Sequence, residues 1–177
     1  METTKMYIEL IVVGLETFVW ICMFLVDIVG NKIISVLEKM LNNFSASLLL
    51  IGILYVIGVL IDRLADIIFQ KFENKIRKES GLQAKTSFII WKKYNLENFS
   101  DYTRSRIRIL RASTINIPLI MLSLIWYVFI FYKQFSVIIY IFFIGMLFMY
   151  ASWKGYKKSL KTYYDKACIL ELNNDKP

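Results

Sequence analysis

The chain has 177 residues, 57% of them hydrophobic and 16% aromatic, and carries a formal net charge of +8. It contains no histidine, which excludes histidine-based catalysis and histidine metal sites; its two isolated cysteines, Cys22 and Cys168, form neither a zinc pattern nor a disulfide framework. With an apolar share above the roughly 45–50% of soluble domains and a mean hydropathy of +0.51, the chain reads as an all-α integral membrane protein without catalytic residues, metal or cofactor.

Four runs are long enough to cross a bilayer, which takes about 20 helical residues. The first, about 7–29, is long, is interrupted by Glu9 and Glu16, and lacks a small-residue cleavage site after it. It therefore reads as a retained span rather than a signal peptide. The second, about 45–69, begins "SASLLLIGILYVIGVLI". The third, about 113–132, and the fourth, about 135–153, carry no charge, and with only "KQ" between their apolar runs they predict a tight antiparallel hairpin. Pro118 is expected to bend the third span or to mark its true start.

Lys and Arg are distributed unevenly. Segment 70–112 carries eleven, the tail 154–177 six and the first six residues one, against three in the other connections, with Arg63 set aside. The positive-inside rule then places both termini, the loop 70–112 and the tail in the cytoplasm. Within the loop, the second span is expected to continue as a helix and stop near Gly81. "TSFIIWKKY" at 86–94 suits an interfacial helix, and Ser100 or Asp101 offers the cap of a helix running into the third span.

The ionisable residues inside the spans follow helical phase. At about 100° per residue, Glu9, Glu16 and Asp27 fall on one stripe of the first span, with Trp20 beside it. On the second span Tyr55, Asp62, Asp66 and Glu73 share a face, and Arg63 can reach Asp66 three positions on. Setting Glu9, Glu16, Asp27, Asp62 and Asp66 against Arg63 leaves four formal negatives unmatched. Each mid-membrane charge costs roughly 2.5–3.5 kcal/mol on insertion scales, so these faces should meet other helices or water. Topology brings Glu9 level with Arg63, a candidate pair. Glu16 has no basic partner in view, and Asp27 should be a solvated outer end.

Two accounts fit the acids. One is an interfacial ion-pair brace at Asp62, Arg63 and Asp66. The other is an ion pathway lined by Glu9, Glu16, Asp27, Asp62 and Asp66; a single four-helix unit has no room for it, so it requires a homo-oligomer, whose ring of carboxylates favours cations. In the loop, Arg104, Arg108 and Arg111 share a helical face. They suit anionic lipid headgroups, or a cytoplasmic anion or oligonucleotide site with Trp91, Tyr94 and Tyr102 for stacking. A non-conducting membrane sensor or anchor subunit is the alternative to a channel.

"GLETFVW" (14–20) and "GVLIDRLADIIF" (58–69), with Gly58, Asp62, Arg63 and Asp66 in a G-x-x-x-D-R-x-x-D pattern, resemble small four-span bacterial anti-phage defence proteins, the Hailong transmembrane effectors. The likeness covers mainly the first two spans. It implies an oligomeric channel of the bacterial inner membrane, gated by a nucleotide or oligonucleotide signal from a partner enzyme. No loop residue carries over from the resemblance.

Overall fold

The computed structural model describes residues 2–30, 32–81 and 91–174. Five helices hold most of them, with no strand among the described residues: α1 Glu2–Val29, α2 Lys32–Leu41, α3 Phe44–Glu79, α4 Glu97–Phe131 and α5 Phe135–Asn174. Four of these, α1, α3, α4 and α5, are long and apolar enough to cross a membrane.

Local chemistry sets the helix ends. Gly30, at φ +80, closes α1 and donates its N–H to Val26 O at 2.8 Å. Asn43 caps α3, its side chain accepting from the backbone N–H of Ser45 at 3.0 Å and Ala46 at 3.4 Å. The predicted stop is where α3 ends, with Ser80 as C-cap and Gly81 at φ +76. The hairpin between α4 and α5 turns through Lys133 at φ 50, which donates to Val128 O at 3.0 Å.

Three sequence expectations change. Of the two expectations for Pro118, the helix start is excluded: it lies inside α4, 21 residues after Glu97. The helix starts at Glu97, after Leu96, which makes no side-chain cap, rather than at Ser100 or Asp101. Helix α2, which the hydropathy reading passed over as a connection, is amphipathic and buries none of its residues. The interfacial helix expected over 86–94 falls mostly outside the described residues, of which Trp91–Lys93 are helical.

Helix α1 packs on α3 and α4, α4 packs on α5, and α3 makes lesser contacts with α4 and α5. The α1–α3 crossing is closest at two glycines. A Cβ on Gly14 would lie 1.8 Å from Leu54 O, and one on Gly58 would lie 1.8 Å from Leu10 O. Backbone touches backbone there, the role small residues play between membrane helices.

At 36, 35 and 40 residues, α3, α4 and α5 are longer than a hydrocarbon core of about 30 Å requires. Their projecting ends, with Trp91 from the segment between α3 and α4, share a core of Ile76, Trp91, Ile107, Tyr156, Leu160, Tyr163 and Ala167. The apolar stretch of α5 has the opposite character. Tyr140, Phe143 and Leu147 are about two-thirds or more exposed, at 70%, 66% and 67%. Apolar surface on this scale, on helices whose backbone bonds are internally satisfied, is what a bilayer solvates. The chain is a multi-pass membrane protein by length, composition and surface.

Candidate functional site: a buried ion network

One turn of helix separates Asp62 from Asp66, and two more reach Glu73, so α3 presents three carboxylates on one face. Arg108 and Arg111, three apart, do the same for α4. Because α3 and α4 run in opposite directions, the acids near the end of one meet the bases near the start of the other.

Arg111, 7% exposed, is the hub. Its Nη2 donates to Asp62 Oδ1 at 2.8 Å and its Nη1 to Glu73 Oε1 at 3.1 Å; Nη1 also pairs with Asp66. Arg108 joins α1 to the same cluster, with Nη1 2.9 Å from Glu9 Oε2 and Nε 3.5 Å from Asp62 Oδ2. Helix α5 enters through Tyr156, whose hydroxyl donates to Glu73 Oε1 at 2.8 Å. Four helices are thus tied together. In low dielectric such a network has little net advantage over an apolar core, but removing one partner costs about 3–5 kcal/mol by stranding the others.

This geometry corrects the sequence reading of several residues. Glu9 pairs with Arg108 and not with Arg63. Arg63 sits on the exposed side, 3.8 Å from Asp66 Oδ2, its side chain 77% exposed. The tally of four unmatched negatives fails because Arg108 and Arg111, assigned to the loop, reach into the acidic face. These two arginines are committed to carboxylates and do not form a free ligand surface with Arg104. Arg104 stays apart, its Nε donating to Tyr163 Oη at 3.1 Å and its guanidinium lying over that ring. Trp91 is 1% exposed between Phe99 and Tyr163 and offers no face for stacking, whereas Tyr102 is exposed.

Glu16 lies about two turns along α1 from Glu9 and outside this network. Ser113 Oγ donates to it, at 2.9 and 3.0 Å from its two oxygens, and Asn116 Nδ2 donates at 3.3 Å. No cation pairs with Glu16 among the described residues. Asn116, fully buried, also accepts from Thr17 Oγ1 at 3.1 Å and Trp20 Nε1 at 3.3 Å. Asp27, expected as a solvated end, is instead shielded at both carboxylate oxygens, and neither makes a hydrogen bond among the described residues.

Of the five acids assigned to a pathway, the fold gathers Glu9, Asp62 and Asp66 and leaves Glu16 and Asp27 at separate levels. Glu73 and Tyr156 were missed as members. The shared phase of Glu73 with Asp62 and Asp66 was a usable signal; Tyr156 left none. No protein-family model, curated protein or solved structure matches the chain. Among the described residues there is no group of histidine, cysteine and carboxylate side chains that could hold a metal.

Proposed function

We propose that the chain assembles as a homo-oligomer in a bacterial inner membrane and forms a cation-permeable pore, an effector of anti-phage defence gated by a nucleotide or oligonucleotide at its basic, cytoplasmic end. The observation that carries the reading is Glu16. It is a half-buried carboxylate within a span, held by a hydroxyl and an amide and without a cationic partner among the described residues. An intramembrane acid in that state is a candidate lining group for a pathway completed by neighbouring copies. The network at Arg111 supplies the element a gate requires. It ties four helices through contacts that are strong when complete and costly when one partner leaves.

The test is cation flux in liposomes for wild type and Glu16→Gln, which keeps the contacts to Ser113 and Asn116 while removing the charge. The expected outcome is flux by wild type and a clear reduction in the variant. No flux from either, with candidate nucleotides present or absent, overturns the proposal. One observation favours a second reading, a non-conducting sensor or anchor subunit. Most of the acidic stripe is neutralised internally by Arg108 and Arg111, leaving fewer carboxylates to line a pore. Purification with a stoichiometric partner and no homo-oligomer would support it.

A further inference from the structure

The orientation of the Asn116 amide decides what the Glu16 carboxylate can hold. Asn116 Oδ1 accepts from Trp20 Nε1 at 3.3 Å and lies 3.1 Å from Thr17 Oγ1. Its Nδ2 points the other way, donating to Glu16 Oε2 at 3.3 Å and to Val13 O at 3.4 Å. An indole N–H is a donor only, whereas a hydroxyl swivels to suit its neighbour. Trp20, rather than Thr17, therefore fixes the amide. Turning it would set Oδ1 against two acceptors and Nδ2 against the indole N–H, at a residue that is fully buried.

That orientation is wrong for a metal cation. A dehydrated alkali ion takes a shell of oxygens in place of its water. Among the described residues, the oxygen that meets the Glu16 carboxylate is Ser113 Oγ. Val13 O already accepts from Thr17 Oγ1 at 2.9 Å and from Asn116, and Asn116 presents an N–H where a further oxygen is needed. A proton asks for much less. With Glu16 ionised, Ser113 Oγ and Asn116 Nδ2 both donate to it. With the proton on Oε1, that O–H donates to Ser113 Oγ, whose hydroxyl turns, while Asn116 goes on donating to Oε2. The same side chains satisfy both states without a change of backbone. The charged groups on the surrounding helices, Glu9 on α1, Asp62 on α3, and Arg108 and Arg111 on α4, are held by one another.

We propose that Glu16 is an exchangeable proton site closed to sodium and potassium, and that Trp20 sets this selectivity by fixing the Asn116 amide. The assignment rests on Glu16 being a pathway group and names the ion it takes, but its test reads the carboxyl group itself and not flux.

The experiment is labelling of the full chain in liposomes by dicyclohexylcarbodiimide, an apolar reagent that adds to protonated carboxyl groups. Mass spectrometry of the tryptic peptide 6–32, fragmented to separate Glu16 from Glu9 and Asp27, reads the site. Wild type should be modified at Glu16, more slowly as pH rises, and at one rate in sodium, potassium or choline chloride. Trp20→Phe frees the amide to turn Oδ1 towards the carboxylate. Sodium should then slow labelling by about tenfold, the scale of one hydrogen-bonding partner. Unchanged helix content by circular dichroism shows that the variant remains folded. Glu16 inert at every pH, or labelled at a rate indifferent to pH, overturns the proposal, as does protection of wild type by sodium or potassium. No sodium effect in Trp20→Phe overturns the role of Trp20. The expected labelling in a chain that passes no cations would uphold this assignment while removing the pore.

Discussion

Gly14 and Gly58 face each other across the α1–α3 crossing, each taking the space into which the other helix's carbonyl projects. A Cβ at either would lie 1.8 Å from Leu54 O or Leu10 O, on backbone that cannot rotate away. The relation is reciprocal: both glycines sit four residues after the leucine whose carbonyl meets the opposite helix.

Replacing Gly14 or Gly58 by alanine should therefore force the helices apart and destabilise the fold by about 1–3 kcal/mol, the range for overpacking. Gly52→Ala, on the same helix with nothing within 4 Å of its added Cβ, should be neutral or stabilising through helix propensity. Thermal unfolding in detergent micelles, comparing the three variants, checks this. Equal melting temperatures for Gly58→Ala and Gly52→Ala would refute it.

Arg111→Ala removes the one side chain that holds Asp62, Asp66 and Glu73 together. The expected loss is about 3–5 kcal/mol, since Asp62 and Glu73 stay largely buried and lose their shared cation. Arg111→Lys should recover only part of it, because an ammonium lacks the planar fork that reaches several acceptors at once. Unfolding by titrated denaturing detergent measures both.

Tyr156 contributes by its hydroxyl and by its ring, and two variants separate these. Tyr156→Phe removes the 2.8 Å bond to Glu73 and should cost about 1.5–3 kcal/mol, the range for a bond to a charged group. Tyr156→Ala also empties the space against Phe69, Phe72 and Trp153 and should cost more, about 3–5 kcal/mol in total. A smaller loss for alanine than for phenylalanine in the same melting assay would contradict the packing described.

Helix α2 should lie in the bilayer surface. It is joined at both ends to helices that cross, and its Ile34 and Leu41 are unburied while Lys32, Ser35 and Lys39 take the other face. A nitroxide at position 34 is expected to be relaxed by oxygen dissolved in lipid, and one at position 39 by a water-soluble nickel complex. The reverse pattern, or two equally wet positions, would count against it.

The resemblance drawn from "GVLIDRLADIIF" rested on spacing within one helix, and the partners of that spacing explain how far it could lead. Gly58 is used for a close crossing, and Asp62 and Asp66 for holding Arg111. Nothing in the pattern indicates Arg111, which lies on the next helix. Glu16 was legible as an acid without a cation, but its holders Ser113 and Asn116 were not, since a hydroxyl and an amide are ordinary in either setting.

Four spans, the tight α4–α5 turn and the stop at Gly81 were determined by the sequence alone, because each depends on local terms: apolar length against bilayer thickness, and the few residues suited to a left-handed cap. Helical phase also identified two charged faces, Asp62–Asp66–Glu73 and Arg104–Arg108–Arg111. Only the tertiary structure decided that these faces meet, that Arg104 is left out, and that α4 passes through Pro118 unbroken. Phase tells which residues of one helix point the same way; which helix they point at depends on packing between segments 38 to 49 residues apart in the chain.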